Sequence, residues 1–249
     1  MSSAPVFFFT DFSTRGPYTG QMEAALLSAS PDSRVINLMC DAPFADPKAA
    51  AYLLSALDAY LPKEAIVVAV VDPGVGGDRK ALCLNKGERW YTGPDNGLLA
   101  VLATHSKKDQ IVLRELDMDD YQSISASFHG RDVFAPVAGI LAQGKMPPCR
   151  PFSVVDMVGA SWPADLSQVI YSDGFGNAMT GIRAANIEKL RGVVVEGQRI
   201  DVARTFSSVP PGELFCYENS IGLIEIAVSR GSASRLLGLN VGAPVRLLD

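Results

Sequence analysis

The chain has no surplus of positive charge. Its 249 residues hold 22 Lys and Arg against 27 Asp and Glu, a formal charge of −5, so little is available to neutralise a phosphate backbone or an anionic bilayer. Nucleic acid and membrane are therefore poor partners, and a small molecule is expected instead. Histidine occurs only twice, and Cys40, Cys83, Cys149 and Cys216 are scattered without a CxxC pair, which argues against a metal cage and for four buried thiols. The longest apolar run, residues 65–71, stops at Asp72, far short of the ~20 residues that a membrane-spanning helix requires. No basic stretch precedes Val6-Phe7-Phe8-Phe9, and Thr10-Asp11 ends that run before it becomes a signal-peptide core. With free cysteines, this points to the cytoplasm. Internal repeats and low-complexity tracts are also lacking.

What is present describes a compact chain, 48% hydrophobic and 20% charged, whose length suits two modest domains. Residues 6–9, 35–38 and 65–71 are short β-favouring runs, and between them 18–28 and 47–61 suit helices, giving the order β-α-β-α-β. Continuous rather than alternating apolar strands imply burial on both faces, as in a parallel sheet covered by helices. Within 47–61, Ala50, Leu53, Leu54, Leu57 and Leu61 share one helix face, a packing stripe with no chemistry assigned to it. A further helix is expected over 132–143, with Asp132 in its first turn and Gly144 past its end. The proline-dense stretch 146–151 then reads as a stiff linker or surface crossing. A boundary placed there gives an α/β domain over 1–150 and a β-rich domain over 151–249. In the latter, short strands are expected at 168–171, 177–182, 192–196, 213–217, 223–228 and 243–248, in the manner of a partial barrel.

In open α/β sheets, ligands bind beyond the carboxyl ends of the strands. Strand one ends in Thr10-Asp11-Phe12, where the carboxylate suits either ribose hydroxyls or a turn cap. Strand three runs into Asp72-Pro73-Gly74-Val75-Gly76-Gly77-Asp78-Arg79, an irregular loop that lacks both the Lys-Ser of a P-loop and the GxGxxG spacing. Asp72 and Arg79 flank that loop, and can converge as a structural ion pair or as a functional one. His129, in Phe128-His129-Gly130-Arg131-Asp132, sits at a helix entrance where backbone N–H groups favour ligands, whereas His105 reads as a solvated helix end. GxSxG, HExxH and the EF-hand loop are all absent, so nucleophile-triad hydrolysis has no basis in the sequence. Tyr91-Thr92-Gly93-Pro94-Asp95-Asn96-Gly97 joins a short strand to an apolar helix and makes a turn whatever the function. Asp173-Gly174-Phe175-Gly176-Asn177 and Glu218-Asn219-Ser220 gather amides, carboxylates and an aromatic at strand ends, either as hairpin turns or as a clamp for a purine and an amino acid.

Taken in order, Phe9-Thr10-Asp11-Phe12, Asp72-Pro73-Gly74-Val75-Gly76 with Arg79, Gly93-Pro94-Asp95-Asn96-Gly97, Phe128-His129-Gly130-Arg131-Asp132, Asp173-Gly174-Phe175-Gly176-Asn177, and Asn219-Ser220 before the strand at 223–228 resemble the S-adenosyl-L-methionine (SAM) hydrolases. These are also called SAM hydroxide adenosyltransferases and are relatives of the fluorinase and chlorinase. The resemblance covers nearly the whole chain. It implies an α/β domain with a mostly parallel sheet, a small β-barrel-like C-terminal domain, and attack of water on the 5′ carbon of SAM to give adenosine and L-methionine. SAM is then the substrate, and no metal or cofactor is implied. The resemblance carries the catalytic set onto Asp72, Arg79 and His129, and the ribose contact onto Asp11. It places Asp173, Phe175 and Asn177 in the nucleoside pocket and Ser220 near the methionine end, with Asn96, Asn219, Glu225 and Ala233 as further substrate contacts. It also implies a homotrimer with three interfacial sites.

One segment departs from the family pattern. Where the family usually has His-Glu-Val-Pro-Pro and an aromatic, this chain reads Cys40-Asp41-Ala42-Pro43-Phe44-Ala45-Asp46, which shifts the covering aromatic to Phe44. Two other readings compete with hydrolysis. One is a SAM-dependent halogenase, whose family members lack the Asp, Arg and His set. The other is a non-catalytic SAM or nucleoside sensor, in which Asp72 and Arg79 are merely an ion pair.

Overall fold

A computed structural model describes residues 4–105, 111–121 and 123–248. The chain forms two compact units, one of Met1–Leu54 with Leu61–Trp162 and the other of Ser55–Tyr60 with Pro163–Asp249.

The first unit is built on seven strands: β1 (Val6–Thr10), β2 (Val35–Met39), β3 (Ile66–Val70), β4 (Ala81–Lys86), β5 (Arg89–Pro94), β6 (Ile111–Leu116) and β7 (Cys149–Pro151). Their order across the sheet is β2-β1-β3-β5-β4-β6-β7. β2, β1, β3, β5 and β6 run one way, and β4 and β7 the other. β1 and β3 lie inside the sheet with every residue buried, which is why they read as unbroken apolar runs, whereas edge strand β2 is only partly buried. The helices are α1 (Tyr18–Ala29), α2 (Pro47–Leu57), α3 (Ala100–Thr104) and α4 (Ala135–Ala142). α1 and α4 lie close together, since a Cβ at Gly139 would come within 2.8 Å of the Ala29 Cβ. Between them and the sheet lies a core that includes Phe8, Met22, Leu26, Val68, Phe134 and Val137.

Four sequence expectations change here. Residues 149–151 are a strand rather than a linker, because Pro151 sits on the outermost strand, where no ladder donor is required of it. The first unit accordingly continues past residue 150 to Trp162. The helix expected over 132–143 begins earlier, with a π-helical turn, Gly130–Phe134, in which the Ala135 N–H bonds back to the Gly130 carbonyl. Pro136, next in line, has no N–H to give, which suits it to the start of α4. α2 ends at Leu57 and a 3-10 turn (Asp58–Tyr60) follows it; Ala49 through Leu54 are all buried, a wider face than the expected stripe.

The second unit contains β8 (Leu166–Ser172), β9 (Ala178–Arg183), β10 (Gly192–Val195), β11 (Gln198–Asp201), β12 (Leu214–Glu218), β13 (Leu223–Val228) and β14 (Val245–Leu248), with one short helix, α5 (Ala233–Leu237). A four-stranded sheet, β12-β13-β9-β8, and a three-stranded sheet, β11-β10-β14, are each antiparallel. Single bridges, Gln168 to Pro244 and Val202 to Cys216, join the sheets at both ends and turn the seven strands into a barrel-like closure. Val193, Ile200, Ile226 and Val245 help to fill its interior. Among the described residues, no helix is long and apolar enough to cross a membrane.

Candidate active site

Asp72 leaves the end of β3, and the loop after it returns Arg79 to the same point. Arg79 Nε lies 2.8 Å from both Asp72 carboxylate oxygens, and Nη2 also donates to Oδ2. The pair is buried, with side-chain exposures of 10% for Arg79 and 4% for Asp72. Nη2 further approaches His129 Nδ1 at 3.1 Å. A guanidinium has only hydrogens to offer, so Nδ1 must be the accepting nitrogen, and the neutral ring carries its proton on Nε2. Burial, followed by the Arg79 charge, holds the His129 pKa below its usual value, in keeping with that neutral form. Asp72 and His129 border a cavity of about 220 Å³, to which Phe12, Tyr18 and Phe128 supply an aromatic wall. The three rings pack at centroid distances of 5.5–5.8 Å in tilted and edge-on contacts.

Asp11, at the end of β1, accepts from the Ala45 N–H at 2.9 Å, and Ala45 adopts a left-handed φ of 52°. Burial raises the Asp11 pKa, against the lowering effect of that bond, and nearby Asp72 adds to the rise. Phe44 stands beside this anchor, 85% exposed. Asn96 is occupied within the fold: its Nδ2 donates to the Val71 carbonyl at 2.9 Å and its Oδ1 accepts from Leu98 N at 3.2 Å, tying the end of β5 to the end of β3. His105 caps α3 through its backbone and is exposed, as the sequence suggests.

The second unit carries a larger, open cavity of about 850 Å³, bordered by Asp173, Phe175, Asn177, Asn219, Ser220 and Glu225 among others. Asp173 spends both carboxylate oxygens on its own turn, accepting from the backbone of Phe175 and Asn177 and from Asn177 Nδ2 at 2.9–3.0 Å. It thereby fixes the Asn177 amide, whose Oδ1 is buried without a partner among the described residues. Such an orphaned acceptor beside a cavity costs free energy until a donor arrives. Glu225 is 2% exposed; it accepts from Tyr217 OH at 2.5 Å and from Asn219 Nδ2 at 2.8 Å, and burial raises its pKa. Phe175, by contrast, is 83% exposed. Ala233 belongs to the core and does not border the cavity.

Sequence reasoning did not single out Phe206, Tyr217, Arg230 or Arg235 on this cavity. Arg230 adopts a left-handed φ of 56°, a strain that only a structure exposes. Tyr217 lay inside an expected strand, and its role depends on facing Glu225 across the β12–β13 ladder.

An (R)-S-adenosyl-L-methionine hydrolase of Thermus thermophilus is 40% identical to this chain, covering 98% of it and 99% of the relative. A protein of the same description from Salinispora arenicola is 36% identical, covering 99% of each. Among solved structures, an uncharacterized conserved protein from Thermotoga maritima superposes with a TM-score of 0.85 at 26% identity, covering 98% of this chain and 100% of that one. A conserved hypothetical protein from Thermus thermophilus reaches 0.76 at 38% identity, with the same coverage. Residues 6–149 match the profile of the SAM hydroxide adenosyltransferase N-terminal domain and residues 167–246 that of its C-terminal domain, the two stretches that carry the Asp72–Arg79–His129 cluster and the Asn177–Glu225 cavity. The chain belongs to the SAM hydroxide adenosyltransferase family.

Proposed function

We propose that the protein hydrolyses SAM, with water as the nucleophile at C5′ and adenosine and L-methionine as products. The observation that carries this reading is the Arg79 to His129 Nδ1 contact beside Asp72, in a chain of this family. The oxygen of water bonds to C5′ as the C5′–S bond breaks, and the bonding pair goes to sulfur. The sulfonium leaves as a neutral thioether, so no acid is needed on the leaving side; what the protein must supply is a deprotonated, aligned water. With Nδ1 engaged by Arg79, His129 offers an Nε2–H that donates to the water oxygen, and Arg79 adds positive charge as hydroxide character develops. The water proton passes to the Asp72 carboxylate, which borders the same cavity. Asp11 binds the ribose hydroxyls, and Phe44 covers the sugar.

In the other cavity, the unpartnered Asn177 Oδ1 accepts from the purine amino group, and Phe175 contributes a ring face. Glu225 and Ser220 receive the methionine ammonium, while Arg230 and Arg235 face its carboxylate. Asn96 and Asn219 act through the backbone and the carboxylate that they hold, and Ala233 through packing. Three copies of the chain assemble, with SAM held between the first unit of one and the second unit of the next; light scattering at working concentration tests that assembly. The protein acts in the cytoplasm, without a metal. The relatives' names specify the R configuration at sulfur, and we extend that preference to this chain.

The deciding experiment incubates purified protein with chromatographically resolved sulfonium epimers of SAM in halide-free buffer, with and without EDTA, then with added chloride. Adenosine and methionine formed from the R epimer in every arm support the reading. A 5′-chloro nucleoside formed only with chloride points to halogenation, and SAM binding without any product points to a sensor.

A further inference from the structure

The catalytic set depends on two loops from distant parts of the chain meeting in one register, and the groups that hold them together lie outside the set itself. The first loop runs from Asp72 to Arg79, and the second leads through Ser125 to His129. They touch at Gly76, which has a left-handed φ of 81°, and where a Cβ would fall 2.2 Å from the Ala126 carbonyl oxygen. No other residue type fits that approach without displacing backbone. The second loop is tied down from below. Asp132 Oδ2 accepts from Ser125 N at 2.8 Å, closing the chain across residues 126–131, and Arg131 grips the same carboxylate through Nε at 2.6 Å and Nη2 at 3.0 Å. Arg131 also donates to Gln21 on α1 at 2.9 Å and lies 5.2 Å from the centroid of the Phe128 ring. Asp132 lies within the π-helical turn, so the turn that follows His129 and the carboxylate that braces its loop are one local structure.

We propose that Gly76 and Asp132 are positioning residues for the reaction: the Gly76–Ala126 contact and the Asp132–Ser125 tether together set the Arg79 to His129 Nδ1 bond, and so hold the histidine with its proton on Nε2. The reaction half of this inference rests on the proposed hydrolysis, whereas the tautomer half does not. The chain has two histidines, so 15N imidazole spectra of the full-length protein are readable, with a His105→Gln variant for assignment. Wild type should show a pyridine-like Nδ1 and a pyrrole-like Nε2 for His129.

Asp132→Ala should lose that signature and lower kcat at least tenfold, with KM within about threefold of wild type. Asp132→Asn, whose amide oxygen can still accept from Ser125 N, should keep the signature and most of kcat. Gly76→Ala should behave as Asp132→Ala does, because it separates the loops from the other side. An Asp132→Ala protein with wild-type spectrum and turnover overturns the proposal, as does an Asp132→Asn protein impaired as severely as Asp132→Ala. Should Asp132→Ala fail to fold, a wild-type signature in Gly76→Ala overturns it instead, and a lost signature there beside an intact one in Asp132→Asn supports it. A wild-type protein that turns over no SAM would sink the hydrolysis reading, while the spectra would still decide whether these loops fix the histidine.

Discussion

The two cavities differ in how completely their polar groups are satisfied before any ligand arrives. Around Asp72, charge meets charge: the carboxylate takes three contacts from Arg79, and Arg79 reaches His129. Around Glu225, the buried carboxylate accepts from the neutral donors Tyr217 and Asn219, and Asn177 Oδ1 has no donor among the described residues. A self-satisfied cluster of fixed charges is already organised for the charge that develops in a transition state. An under-satisfied cavity gains most when a ligand supplies the missing donors. Under the proposed hydrolysis, this contrast puts turnover in the first region and affinity in the second, and substitutions can separate them.

The largest effect should come from Arg79→Ala. It strands a buried carboxylate, at a stability cost of about 3–5 kcal/mol measured by denaturant unfolding, and should lower kcat by about 10²–10³-fold. Replacing both partners with apolar residues, Asp72→Leu with Arg79→Met, should restore much of the stability and none of the turnover. Recovery of activity in that double variant would break the assignment.

The pH profile comes next. Protonating His129 sets a second cation against Arg79 and removes the accepting Nδ1, so kcat should fall as pH drops through a pKa below the ordinary 6.5. The sign for stability is the same. The folded pKa is lowered, so the unfolded chain binds the proton more readily, and the contribution is present above 6.5 and lost as pH falls through the folded value. An acid limb in kcat lying above 6.5 would contradict the neutral tautomer. In the other region, Asn177→Ala should raise KM about tenfold with kcat little changed, the worth of one hydrogen bond to a ligand donor.

How much of this was legible in the sequence follows the same division. β1 and β3 were plain because burial on both faces leaves only apolar residues. β4 and β6 were not, since the pairing of β4 with β5 on one side and β6 on the other is set by tertiary contacts rather than by local periodicity. Asp72, Arg79 and His129 stood out because each adjoins an irregular loop or helix entrance, and the resemblance picked the same three. The direction of the Arg79 bond onto Nδ1, and the sharing of Tyr217 and Glu225 across a ladder, are relations between side chains that one-dimensional spacing does not encode. Asn96 shows the reverse. Its motif was recognisable, yet its amide serves the backbone of its own unit.

The smallest effect tests whether the affinity region has an electrostatic component of its own. Burial raises the Glu225 pKa, while the Tyr217 and Asn219 donors pull it down. Tyr217→Phe removes one of those donors without changing the ring, so the Glu225 pKa should rise further and less carboxylate should be available to a cationic ammonium. Affinity for SAM should then weaken by about threefold near neutral pH, within the range of a single neutral hydrogen bond. The loss should deepen as pH falls toward the raised pKa, and kcat should stay at the wild-type value. Titration calorimetry at two pH values, with turnover measured in parallel, separates these terms. A Tyr217→Phe protein whose kcat falls while its affinity holds would mean that the two regions do not divide the work, because a donor in the recognition cavity would then be setting the rate.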